Sequence, residues 1–498
     1  MHVQNLLKTA QACLKDIRDY QPSFPAETEL SLEDKLTHFK WWTKNYLDMS
    51  SLLYRVGPLK LLKSMADYPW IYDLLKANSF YHRLVWGRTG NYREAVSVIY
   101  NMVLNVICER LEWFINDPEN LVLVEDLVPP EIMYAMGLKV FMPEMFGMLG
   151  TVLDQHCNER YIDIAENSGT APDACTLPKI VIGMCLAGHM PKAKAVVTSN
   201  MPCDAGSTSY EILAARGDNM PIYRLDVPHN FKEKRALDAF VGDLKQMIAW
   251  LEKNTPGRMD WERLKEICEE RNRATEYELA IWELNRRRPT AMPGEPIYLH
   301  HLCTAGMNPG SPEATASWKR VYELARDNYE KGVGAFPGER YRALVWNPVP
   351  AMFSSVQVWF EQTWGLTFYI DSMSYNTCPL IDTTSPETML RDLAIGIMDG
   401  PMARHTRGPA VTNYFPDMWH IVEHFDLDMI IMSGHVGCKN TQALNGVLRE
   451  QCRDRGIPLM IYDYDLMDPR VVSVDGIKTQ INNFMENVMK AERFDSII

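Results

Sequence analysis

The chain has 498 residues, 46% of them hydrophobic, enough for two or three domains with large buried cores. Its formal net charge is −13 with no long basic block, which argues against nucleic acid as a partner, because neutralising phosphate takes clustered Lys and Arg. No apolar run reaches the roughly 18 residues of a membrane span, and the opening "MHVQNLLKTAQACLKD" lacks the basic-then-apolar plan of a signal peptide, so a cytoplasmic protein without a membrane partner is expected.

Residues 1–118 read as a helical region. "LEDKLTHFKWWTKNYLDMSSLLYRV" and "REAVSVIYNMVLNVICERLEWFI" carry apolar residues at three- and four-residue steps. The aromatic content here (Trp41, Trp42, Tyr46, Trp70, Tyr72) reads as packing or a subunit contact. Pro118 and "ENLVLVED" mark the exit into a first strand. Residues 119–290 then alternate short apolar runs with helices: "LVLVEDLV", "KAVVTSN" and "PIYRLDV", followed by long amphipathic helices over 232–253 and 261–287. Residues 291–335 open with a Pro- and Gly-rich stretch, "PTAMPGEPIYLHHLCTAGMNPGSPE" in its setting, and read as a linker or active-site crossing. The rhythm restarts over 336–498, with candidate strands "YRALVWNPVP", "LTFYID", "LDMIIMSGHVG" and "IPLMIYDYD" and helices over 441–455 and 475–490. The fold class is therefore α/β: two Rossmann- or flavodoxin-like parallel-sheet domains behind an N-terminal helical cap.

Eleven cysteines in a reduced compartment do not imply a disulfide framework, and no CxxC pair or ferredoxin spacing is present. Any cluster site must be assembled from distant cysteines. Cys175 in "GTAPDACTLPKIVIG", Cys203 in "VVTSNMPCDAGSTSYEIL" and Cys438 in "MIIMSGHVGCKNTQAL" all lie on loops that open helices, the last two after strands. Such loops converge on the crevice of an open sheet, where helix N-termini favour thiolates. Cys108, Cys268 and Cys452 fall on helices as core or surface residues, while Cys13, Cys157, Cys185, Cys303 and Cys378 are less decided. The acids of "YDYDLMD" (Asp463, Asp465, Asp468) read as loop and capping residues, and the glycine loops "GVGAFPGER" and "SGHVG" lack nucleotide-binding spacing.

The order of these elements, "CTLPKIVIGMCLAGHMPKAKAVVTSNMPCDAG", "LDVP", "SGHVGC" and "GIPLMIYDYDLMDPR", with "PPEIMYAMGL" ahead of them, resembles the D-component family that unites 2-hydroxyacyl-CoA dehydratases with ATP-dependent benzoyl-CoA reductase subunits. The likeness runs from about Leu121 to the C-terminus. It implies that Cys175, Cys203 and Cys438 hold one [4Fe-4S] cluster with an open iron site, with Glu131 nearby. It further implies an iron–sulfur subunit of a radical lyase that removes water from an (R)-2-hydroxyacyl-CoA through a ketyl radical. The electron would come from an ATP-dependent iron–sulfur activator, and a homologous second subunit would complete the enzyme. Three alternatives stay open: a benzoyl-CoA-reductase-like subunit acting on an aromatic thioester, a reductase holding a double-cubane [8Fe-9S] cluster on the same cysteines, and a non-catalytic electron relay. A general base is also needed, and Glu131, His301 and His435 are the candidates by type. His435 is favoured for standing three residues before Cys438, with a hydrogen-bonding role as its other reading.

Overall fold

The computed structural model describes residues 30–494 apart from 217–219, 230–231, 347–353, 372–373, 377 and 408–410, with isolated positions before residue 30. Two four-stranded, all-parallel sheets form its centre. The first has order β2-β1-β3-β4, with β1 Leu121–Val124, β2 Lys139–Phe141, β3 Ala195–Ser199 and β4 Ile222–Leu225. The second repeats the order as β6-β5-β7-β8, with β5 Tyr341–Trp346, β6 Leu366–Asp371, β7 Met429–His435 and β8 Leu459–Tyr464. Sheets covered on both faces need continuous apolar strands, and β1 "LVLV" and β6 "LTFYID" are buried at every residue. Each sheet reverses direction of growth between its first and third strands, so the crevice beyond those strand ends is the expected ligand position in both halves.

Seven of the eight strands match runs expected from sequence. The missing one, β2, is only three residues, too short for a period of two to register. For "YRALVWNPVP" the strand covers Tyr341–Trp346, and its last four residues lie outside the described ones, as does Cys13. Within the segment read as a linker or active-site crossing, Gly294–His301 is a buried helix continued by a π-helical turn at Leu302–Met307. Pro296 suits such a helix because the backbone N–H groups of a first turn have no intrahelical partner, so none is lost to proline.

The helical region before β1 packs chiefly through Leu32–Val56 against Gly90–Asn116. Trp41, Trp70 and Tyr72 are buried in it, whereas Trp42 and Tyr46 are exposed and in edge-on contact, with ring centroids 4.6 Å apart. Among the described residues no helix is long and apolar enough to cross a membrane.

A charge cluster ties this region to the helices Gly294–His301 and Ser354–Trp364. Arg88 is buried, pairs with Glu295, and lies over the Tyr92 ring at 4.9 Å, while the Tyr92 hydroxyl donates to Glu361 Oε1 at 3.0 Å. One guanidinium thus pairs with Glu295 and acts through space on Glu361. Burial pushes the Glu361 carboxyl up to about 8, with Arg88 opposing and Glu295 adding to the rise. The unfolded chain loses this proton near the ordinary value of 4.5. The group's contribution to stability is therefore complete below that pH and is lost as pH rises to about 8. Urea unfolding at pH 6 and pH 9 should show a smaller loss of stability in Glu361→Gln than in the unmodified protein; equal losses in both would count against a neutral Glu361.

Candidate functional site

Cys203 and Cys438 occupy equivalent places in the two halves. Each follows the third strand of its sheet, β3 or β7, and immediately precedes a helix, Asp204–Arg216 or Lys439–Arg455. Cys175 arrives differently, as the N-cap of Thr176–Leu186 after a helical approach. The three thiols nonetheless come together across the two halves. Cys203 and Cys438 are both near enough to Cys175 to act on its thiol electrostatically, and Cys438 acts likewise on Cys203.

The closest approach lies between the Cys175 and Cys438 loops. A Cβ placed on Gly437 would stand 2.6 Å from Cys175 Cα and 2.9 Å from its backbone nitrogen, so only glycine lets the two loops touch. Side chains fasten the same contact. Thr176 Oγ1 donates to Asp465 Oδ1 at 2.7 Å, which also accepts from the backbone N–H of Met467 and Asp468, and Lys439 Nζ pairs with Asp173 Oδ2 at 2.5 Å. Buried Lys179 holds the Cys175 loop from behind through Glu166 and the Pro172 carbonyl. Asp465 and Asp468 thus serve the loop, as expected; Asp468 accepts from the Arg470 side chain and backbone.

The expected lowering of the thiol pKa by helix N-termini is overturned for two of the three cysteines. Burial pushes Cys175 well above its ordinary value, with Cys203, Glu144 and Cys438 adding, against a single backbone N–H at Leu177. Cys203 keeps some exposed surface, yet surrounding protein raises it too, over the opposing N–H groups of Gly206 and Ala205. A helix end supplies partial charge, and desolvation of a full charge outweighs it. Metal ligation takes cysteine as the thiolate, so a cation bound here would have to offset the burial that raises Cys175 and Cys203. Among the described residues no three His, Cys, Asp or Glu side chains converge on a single-ion position. The donor set fits an iron–sulfur cluster better, since each thiolate there binds its own iron.

His435, at the end of β7, is buried with both ring nitrogens engaged. Its Nδ1 accepts from the Leu466 backbone N–H at 3.2 Å, which leaves the proton on Nε2, 3.2 Å from Cys175 Sγ. Burial lowers its pKa, consistent with a neutral ring that donates to sulfur.

Beside the cysteines runs a cavity of about 290 Å³ between the halves. Leu177, two residues from Cys175, Pro202, next to Cys203, and Leu466, whose backbone N–H anchors His435, are among its lining residues. Glu131 and His301 both line it; His435 does not. Glu131, on Pro130–Ala135, is fully buried and pairs through Oε1 with Arg271 of Trp261–Asn285, while its Oε2 has no hydrogen-bond partner. His301 Nδ1 bonds Glu278 Oε1 at 2.8 Å; burial acts to lower its pKa, but Glu278 prevails and the value is raised.

Residues that sequence reasoning missed stand here as well. Glu144 lies in the apolar helix Pro143–Leu153, contacts Ser209 Oγ at 3.4 Å, and is pushed up to about 7 by burial. Asp126 is raised well above its ordinary value by burial and by Glu144 and Glu125, and its buried Oδ1 has no hydrogen-bond partner. A lone acid within "MPEMFGMLG" was a usable signal for Glu144, because a charge inside an otherwise apolar helix must be buried or functional. Arg271 and Glu278 offered none, since "WERLKEICEERNRATEYELAIWELN" is charged throughout.

The profile of the family described as 2-hydroxyglutaryl-CoA dehydratase, D-component, matches residues 127–488, leaving the first helical region outside the match. The chain is 23% identical over 396 residues to the lactoyl-CoA dehydratase subunit alpha of Anaerotignum propionicum, covering 72% of this chain and 88% of that protein. It is 21% identical over 380 residues to the (R)-phenyllactyl-CoA dehydratase alpha subunit of Clostridium sporogenes, covering 73% and 88%. With its three cysteine loops and the "PPE" helix inside the matched span, the chain belongs to the 2-hydroxyglutaryl-CoA dehydratase D-component family.

Proposed function

We propose that this protein is the iron–sulfur subunit of a 2-hydroxyacyl-CoA dehydratase, with Cys175, Cys203 and Cys438 holding a [4Fe-4S] cluster and a partner activator supplying the electron at the expense of ATP. The observation that carries this reading is the meeting of three thiols from both halves, with Leu177 and Pro202, close to two of them in sequence, lining a ligand-sized cavity. When bound, such a cluster supplies an electron-accepting centre and an open iron that acts as a Lewis acid. The chain's own residues do the rest. His435 Nε2–H donates to Cys175 Sγ and so steadies the thiolate form. Glu131 is fixed by Arg271 through one oxygen, which leaves Oε2 to accept a hydrogen bond from the substrate's hydroxyl. His301, oriented by Glu278, is placed to take the proton from the carbon next to the one that loses hydroxide. Water is the sum of what leaves: a hydroxyl from one carbon and a proton from its neighbour, giving a 2-enoyl thioester.

The relatives named lactoyl-CoA and (R)-phenyllactyl-CoA dehydratase subunits support a 2-hydroxyacyl thioester as substrate and a second, homologous subunit as partner. The test is anaerobic incubation of iron-loaded protein and its co-purifying subunit with lactoyl-CoA or (R)-phenyllactyl-CoA, ATP and an activator of the family. Enoyl-CoA formation that requires both ATP and activator is expected. Iron-loaded protein that dehydrates neither thioester would count against the reading, and His301→Gln should lower kcat by about a hundredfold while leaving iron content unchanged.

A further inference from the structure

We propose that the cavity selects an uncharged acyl group with a bulky apolar side chain, aliphatic or aromatic, and rejects a dicarboxylic one. This rests on the reading above that the cavity receives the acyl end of a CoA thioester.

Charge comes first. Five carboxyl groups line the cavity, on Asp126, Glu131, Glu144, Glu278 and Asp392. Among the described lining residues Arg271 is the one Lys or Arg, and it is already paired with Glu131; His301, the other basic group, is held by Glu278. A second carboxylate on the substrate would find no uncommitted cation among the described lining residues. A buried charge without a partner is among the costliest arrangements in a protein.

Shape points the same way. The remaining wall includes Met145, Met148, Trp318, Leu393 and Ile397, all buried, and about 290 Å³ of space lies between them. A methyl side chain would leave much of that space without contacts, whereas a branched or aromatic group would fill it. One wall position leaves room for adjustment. Gly396, inside the helix Pro386–Met398, lines the cavity, and a Cβ added there would meet nothing within 4 Å. A leucine there would start from open space and extend into the cavity that Gly396 lines.

The experiment is isothermal titration of anaerobically purified, iron-loaded protein with its co-purifying subunit. Activator and ATP are omitted so that no turnover occurs, and the ligands are (R)-phenyllactyl-CoA, lactoyl-CoA and (R)-2-hydroxyglutaryl-CoA. The expected result is binding of phenyllactyl-CoA at least about tenfold tighter than 2-hydroxyglutaryl-CoA. Gly396→Leu should weaken phenyllactyl-CoA by about tenfold or more and change lactoyl-CoA by less than about twofold. Equal or tighter binding of 2-hydroxyglutaryl-CoA would overturn the selectivity while leaving the acyl-CoA reading standing. Unchanged phenyllactyl-CoA affinity in Gly396→Leu would remove the acyl group from this cavity. Binding of none of the three would overturn the acyl-CoA reading itself.

Discussion

Cys203→Ala is expected to bring iron and acid-labile sulfide from about four of each per chain to near zero after anaerobic purification, and to erase the EPR signal of the dithionite-reduced protein. The reason is geometric. Among the described residues Cys203 is one of three thiols brought together from separate loops, and with Cys175 and Cys438 each committed to its own iron neither can replace it. The fold should tolerate the change, because Cys203 keeps exposed surface and sits in a loop rather than in the core. Cys108→Ala is the matched comparison. That thiol is buried within the helix Gly90–Asn116, where burial pushes it up to about 12, so it behaves as a small hydrophobe and its loss should leave iron content intact. Equal iron in the two variants would sink the ligand assignment.

The second large effect is expected from a single methyl group. Gly437→Ala puts a Cβ at 2.6 Å from Cys175 Cα and 3.0 Å from the Ala174 carbonyl oxygen, both backbone atoms that cannot swing away. The Cys438 and Cys175 loops must then separate, and a cluster that needs both thiols loses its fit. Iron content should fall by about tenfold with the far-UV circular dichroism unchanged, since the strained contact joins two loops and no strand or helix interior. Full iron content in this variant would show that the loops do not need this contact to present their thiols. By contrast Gly446, on the outer turn of the helix after Cys438, has nothing within 4 Å of an added Cβ, and Gly446→Ala should leave iron content as it was.

Much of the frame was legible because it depends on local periodicity. The helical region, seven of the eight strands and the three cysteine loops each announce themselves within a dozen or so residues. Glu131 was legible only through the "PPEIMYAMGL" resemblance, and its place on the cavity wall beside Arg271 comes from 140 residues further along the chain. The thiol pKa was misjudged for the same reason. A helix N-terminus is visible in sequence, but the burial that outweighs it is created by segments that sequence does not place together. His435 shows the limit within a single pentapeptide. "GHVGC" put it near a cysteine, yet the one it touches is Cys175, 260 residues away, while Leu466 determines which nitrogen carries the proton.

Alone, then, the sequence determined the α/β class, the two halves, the loops that bear the cysteines and the family they belong to, because strand and helix periods and short motifs are properties of neighbouring residues. Only the tertiary structure decided that three thiols from both halves meet, that Gly437 is what lets them, and that the cavity beside them is walled by acids, one committed arginine and apolar side chains. Those are properties of contacts between distant segments. Desolvation and charge pairing act through space, and no local pattern encodes which distant groups will share it.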